Sequence, residues 1–237
     1  KALNECIEEG CDAFVAPGFF MEMMPIFNRL AAKGIPVMSF NHDFPKGVKR
    51  LAYYGPDPYL QGIEAAKLMY NALNGRGNVL IARRDTGIET GIHEQRSKGF
   101  EDQFMNYRKM RIIGEVIVDD TPETVYTKVK GFLSNNRNVD GIFVAGGGPD
   151  GAAKAIVETG LKGKTKIVCF DHNKEIFEAI RDGIIYASIG QDPFGQGHDP
   201  IIYLYNYLVA GQKPPRDHIP TRFDIVDRNN VDNLLES

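Results

Sequence analysis

Six short apolar runs, none alternating polar with apolar residues, set the terms for how this chain folds. They are Asp12–Ala16, Pro36–Phe40, Asn78–Ala82, Gly141–Ala145, Lys166–Phe170 and Ile184–Ser188. A strand with water on one face alternates, whereas a strand covered on both faces is apolar throughout. The runs therefore predict buried strands of parallel sheets. Between them lie stretches with helical spacing: Glu22–Lys33, Leu60–Leu73, Glu94–Tyr107, Glu123–Ser134, Asp150–Thr159, Glu175–Arg181 and Gln196–Ala210. The first presents Met23, Met24, Ile26, Phe27, Leu30 and Ala31; the second presents Ile63, Ala66, Met69 and Tyr70. Strand–helix–strand repetition with short glycine-bearing connections predicts an α/β fold with right-handed crossovers. A length of 237 residues admits one large domain or two small ones.

Composition narrows the function classes. Hydrophobic residues make up 43% and charged residues 25%, ordinary for a folded globular chain. The net charge of −3 advertises neither nucleic acid nor an anionic membrane as partner. No run of 18 apolar residues predicts membrane insertion. Cys6, Cys11 and Cys169 are too few and too scattered for a disulfide framework or a zinc site. Cys169, inside an apolar run, reads as a buried inert thiol. No G-x-S-x-G elbow, H-E-x-x-H helix or Walker loop occurs, and no cofactor or metal is expected.

In parallel sheets ligands gather beyond the carboxyl ends of the strands, so the residues just after each run carry the functional information. Asn41, His42 and Asp43 follow Phe40: an amide, an imidazole and a carboxylate suited to hydroxyl groups, or an Asx-type turn. Arg83 and Arg84 follow Ala82, and the next helix carries Arg96-Ser-Lys-Gly-Phe100, with Arg96 aimed at a ligand or solvated on a helix face. Gly146 to Gly151 follow Ala145 and spell G-x-G-x-x-G ahead of a helix, with Asp171 about 20 residues on, the context of a dinucleotide fingerprint. Pro149 removes one amide from such a cradle, and a tight strand-to-helix turn is the competing reading. Phe170 and Asp171 end another strand; the Asp accepts hydroxyl protons or caps the next helix. Gln191 follows the last run ahead of Asp192-Pro193, as a ligand contact or a hinge turn. Aromatic faces at Phe19, Phe20, Phe44 and Phe194 would cover the C–H face of a ring.

The order of these features resembles the type I periplasmic sugar-binding proteins, the ribose-binding group in particular. It is carried by the R-x-x-G-F of Arg96–Phe100, the Phe170-Asp171 strand end and Gly190-Gln191-Asp192-Pro193. Ile35–Phe40, Val139–Phe143 and the tail Ile225–Asp232 also match, so the likeness spans essentially the whole chain. The resemblance implies two Rossmann-like lobes joined by a three-crossing hinge, one of residues 1–55 and 192–218, the other of 56–191 and 219–237. It implies no enzyme, but a protein that closes around a monosaccharide or small polyol for ABC-type import or chemosensing. Asn41, His42, Arg96, Gly146, Phe170, Asp171 and Gln191 are the implied ligand contacts. Asn41 and His42 stand where ribose binders carry Asp and Arg, and Gly146 and Gly147 where they carry Asn and Asp, which turns the expectation away from ribose itself. Family members open with a strand, a helix and a second strand, so the first lobe is expected to be incomplete. Ala2–Ile7 accordingly reads as mid-helix, and Lys1 as an internal or trimmed start.

The expected partners are a small-molecule sugar and a membrane ABC permease or sensor protein, in an extracytoplasmic location (periplasm or cell surface). One alternative is the effector domain of a lac-repressor-type regulator, which would be cytoplasmic. A second is a nucleotide-dependent enzyme using Gly146–Gly151.

Overall fold

In the computed structural model residues 2–19, 21–85 and 91–235 are described. The chain divides into two compact α/β units and passes between them three times. Unit 1 comprises Lys1–Pro56 and Asp192–Arg222; unit 2 comprises Asp57–Gln191 and Phe223–Ser237.

Unit 2 is built on a six-stranded sheet of β4 (Gly77–Arg83), β5 (Met110–Ile117), β6 (Gly141–Val144), β7 (Lys166–Phe170), β8 (Ile185–Ile189) and β10 (Ile225–Asp227). The order is β10-β8-β7-β6-β4-β5, parallel except for β10 against β8. Successive residues of one strand enter different cores. Leu80, Ala82, Ile142, Val144, Ile167 and Cys169 pack with residues of α5 (Pro122–Asn135), α6 (Pro149–Glu158) and α7 (Lys174–Arg181). Val79, Ile81, Phe143, Ala145, Val168 and Phe170 pack with α3 (Pro58–Ala72) and α4 (Ile92–Phe104). A strand with an apolar core on each side has no face left for polar residues, which explains the unbroken apolar runs.

Unit 1 holds a four-stranded parallel sheet in the order β1-β2-β3-β9: β1 (Phe14–Pro17), β2 (Val37–Phe40), β3 (Tyr53–Gly55) and β9 (His218–Pro220). α1 (Ala2–Glu8) and α2 (Met24–Ala32) lie with a core of Phe14, Phe27, Leu30, Val37 and Phe44. α8 (Pro193–Ala210) packs Leu204 with Met38, Ala52 and Tyr54. Tyr54 Oη donates to Asp199 Oδ2 of α8, and burial together with this carboxylate raises the phenol's pKa. A short α9 (Val231–Leu235) seats Val231 in the unit 2 core.

Helix starts follow local chemistry. α3, α5, α6 and α8 each open on proline, whose missing N–H costs nothing in the first turn. Asp57, Thr121, Asn173 and Asp192 cap α3, α5, α7 and α8 through their side chains.

Four strands were not anticipated. β3, β9 and β10 have three residues each, too few for a pattern. β5 is an edge strand with an exposed face, so Arg111, Gly114 and Glu115 interrupt its apolar residues. The stripe on α3 is also displaced: Gln61, Gly62, Ala65, Ala66 and Met69 are buried, while Leu60 and Tyr70 are exposed. All three cysteines are free, and Cys169 is buried, its thiol pushed up to about 12.

Candidate functional site

The carboxyl ends of β6, β7 and β8 converge on one side chain, Arg96. It sits in α4, only 3% exposed, and is held on three edges. Nε donates to Gln61 Oε1 at 3.0 Å, one terminal nitrogen to the Ala145 carbonyl at 3.0 Å, and the other to Gln191 Oε1 at 2.6 Å. Its guanidinium carbon lies 3.7 Å from the centroid of the Phe170 ring, a cation–π contact. The alternative of a solvated arginine on a helix face therefore fails.

Gln191 passes the connection on, its Nε2 donating to Asp171 Oδ1. Asp171 is exposed and held at φ 73°, the left-handed region that few side chains adopt. The neighbouring Ser188 hydroxyl donates to the Asp171 carbonyl. The helix-cap alternative for Asp171 fails, because Asn173 caps α7. Phe170 is fully buried, so its ring supports Arg96 instead of offering a free face. A buried cation, a fixed carboxamide and an exposed carboxylate thus form one chain of hydrogen bonds at the strand ends. Such a set both gives to and takes from hydroxyl groups.

Gly146 presents no side chain, and the space a Cβ would need is filled by the His93 ring and the Asp120 carboxylate. Asp120, at φ 68°, accepts from the Gly147 amide at 3.2 Å and lies 3.3 Å from His93 Nε2. Burial pushes the His93 imidazole below its ordinary range, against the pull of Asp120. The glycine run serves this packing. Gly148 takes a left-handed conformation before Pro149, and a Cβ at Gly151 would collide with the Pro122 carbonyl. A carboxylate already occupies the loop's amide, which is the wrong charge for a pyrophosphate cradle. Among the described residues no three metal-ligating side chains gather.

Sequence reasoning missed Gln61, His93 and Asp120. For Gln61 a signal existed: a polar residue four and eight positions before the buried Ala65 and Met69. It reaches Arg96 because Gly62 and Gly99 let α3 and α4 meet backbone to backbone; a Cβ at Gly62 would collide with the Arg96 carbonyl.

In unit 1, Asn41 follows β2 at φ 56°, and its carbonyl accepts from Tyr53 Oη at 2.7 Å. His42 lies edge-on to the exposed Phe19, ring centroids 5.1 Å apart. Asp43 is committed to structure, accepting from Ser39, the Phe44 amide and Arg50. Phe44 is buried and stacked on Phe27, so it offers no face to a ring. Phe194 is exposed on α8, and Phe20 lies outside the described residues.

Comparison with known proteins finds a family match across residues 1–213. The chain belongs to the periplasmic binding protein domain family. Within this binding-protein family it is similar to a xylitol-binding protein of Mycolicibacterium smegmatis, 24% identical over 189 residues, covering 76% of this chain and 52% of that protein. It is likewise 24% identical over 233 residues to a D-ribose/D-allose-binding protein of Pseudomonas aeruginosa, covering 92% and 69%. The chain thus spans about half of the first relative and somewhat over two thirds of the second. A periplasmic solute-binding protein of an ABC transporter from Actinobacillus succinogenes, solved with D-allose bound, superposes with a TM-score of 0.88 at 24% identity. That match covers 98% of this chain and 84% of the other, and establishes the type I periplasmic-binding-protein fold. No helix among the described residues is long and apolar enough to cross a membrane.

Proposed function

We propose that this chain binds a monosaccharide or related small polyol without chemical conversion, as the solute-binding component of an ABC-type importer or a chemosensory system. The observation that carries the reading is the chain Arg96–Gln191–Asp171 at the strand ends of unit 2, with its exposed end a carboxylate. Carboxylate and carboxamide side by side take and give hydroxyl protons. The relatives named for xylitol and for ribose and allose agree in ligand class. Asp171 and Gln191 are the proposed direct contacts in unit 2, with the Gly146 edge beside them; Asn41 and His42 are the candidates in unit 1. A membrane permease or sensor is the proposed partner, in an extracytoplasmic location.

The test is a thermal-shift screen against pentoses, hexoses, pentitols and inositols, with Asp171→Ala in parallel. A ligand at about 100 times its dissociation constant adds roughly 2.7 kcal/mol of stability, a clear rise in melting temperature. Asp171→Ala is expected to abolish that rise. A sugar that binds the variant as tightly as the original chain would sink the assignment of this pocket.

A further inference from the structure

Gln61 is fully buried, and the donor–acceptor logic around it allows one arrangement. A guanidinium only donates, so the glutamine oxygen must face Arg96, and it does so at 3.0 Å from Nε. The amide nitrogen is then turned away, and Nε2 is buried with no partner. An unpaired buried donor is a cost that leucine or methionine at this core position would avoid. The same logic runs on along the chain. Arg96 donates to Gln191 Oε1, which turns Gln191 Nε2 toward Asp171. Each link fixes the orientation of the next, and Asp171, the last, is exposed.

We infer that Gln61 is a positioning residue for the unit 2 site: by holding the Arg96 guanidinium over Phe170, it sets the orientation of Gln191 and the Asp171 carboxylate. It touches no ligand and acts from α3, brought within reach by the close approach at Gly62 and Gly99. The inference rests on the polyol reading above for its functional consequence, but not for its geometry. Side chains that meet a ligand keep productive angles only when the residues behind them are locked.

Three variants test it. Gln61→Leu keeps the approximate volume and removes the acceptor. Gln61→Glu keeps an acceptor toward Arg96 and removes the orphan donor. Gln61→Asn draws the acceptor back by one methylene and serves where the leucine variant does not fold. Dissociation constants for a panel of epimeric pentoses and hexoses are measured with circular dichroism melts. Gln61→Leu, or Gln61→Asn in its place, is expected to weaken the best sugar by about tenfold or more and to flatten the preference between epimers. Gln61→Glu is expected to stay within about threefold and keep that preference. A purely structural role would lower the melting temperature and leave the epimer ratio unmoved, and that result overturns the inference. So does an equal loss in Gln61→Glu and Gln61→Leu. The Arg96 Nε–H resonance, followed by hydrogen exchange in the ligand-free chain, reads the geometry alone. Its protection is expected to persist in Gln61→Glu and vanish in Gln61→Leu or Gln61→Asn. Unchanged protection in these last two overturns the positioning role even if no sugar binds, whereas a wild-type chain that binds no sugar overturns only the polyol reading.

Discussion

The two units use the same strand–helix grammar and finish it differently. Unit 2 sandwiches its sheet between two apolar cores, with α3 and α4 on one face and α5, α6 and α7 on the other. Unit 1 has smaller cores, and the far edge of β1 has no strand partner among the described residues. Its helix α8 shows an apolar outward face: Phe194 is 78% exposed, and Ile201, Tyr205 and Val209 are exposed with it. The polar chemistry follows the same divide. In unit 2 a buried arginine is satisfied by acceptors from three directions, which requires an interior closed around it. In unit 1 Arg50 ties a loop to Asp43 and Asp217 and leaves the strand end to Asn41 and His42. A precisely held site needs a complete layer behind it, and unit 2 has one.

The largest expected effect tests whether the units stand as separate cores. Phe143 stacks on Phe100 in unit 2, and Phe27 on Phe44 in unit 1; all four are buried. Phe143→Ala and Phe27→Ala should each cost about 4 kcal/mol. Calorimetry should show each lowering a different transition, and a single transition lowered equally by both would break the comparison. Next, Arg96→Leu should cost about 3 kcal/mol, because it strands the Ala145 carbonyl and Gln61, and should weaken sugar binding by about 100-fold. Urea unfolding and calorimetric titration measure the two; retained affinity would remove unit 2 from ligand recognition.

A smaller effect comes from pH. Burial holds His93 and His172 below their ordinary value near 6.5. The unfolded chain takes up protons there while the folded chain resists. Stability should therefore fall as pH drops below about 6.5, until the folded groups titrate too. Melts from pH 7.5 to 5 should show this decline, and His172→Gln should flatten part of it. A melting temperature that rises on acidification in this window would reverse the sign. The smallest effect belongs to α8: Ile201→Gln and Tyr205→Gln should each change stability by no more than about 0.5 kcal/mol, since both side chains already meet water. A loss of several times that would mean the face is covered in the folded protein.

Much of the fold was legible because burial on both faces leaves a one-dimensional trace. The runs through Leu80, Phe143 and Val168 read as interior strands, and Asp171 and Gln191 stood out by following such runs. β5 stayed hidden because an exposed edge tolerates Arg111 and Glu115. Gln61 stayed hidden because one polar residue in an apolar stripe looks like noise until its partner is known. Asp120 lies 26 residues before Gly146, and no local pattern joins them.

What the sequence determined by itself was the α/β layering, the first turns of the helices that open on proline and the strand ends that Asp171 and Gln191 follow. These depend on periodicity, proline geometry and capping, all properties of neighbouring residues. Only the tertiary structure decided that Arg96 is buried, that Phe170 lies beneath it and that His93 with Asp120 takes the space a side chain at Gly146 would have claimed. Those facts depend on how closely α3 approaches α4 and β6 approaches the loop after β5. Such approaches are set by side-chain volume across elements remote in sequence, where a single glycine determines which atoms can touch.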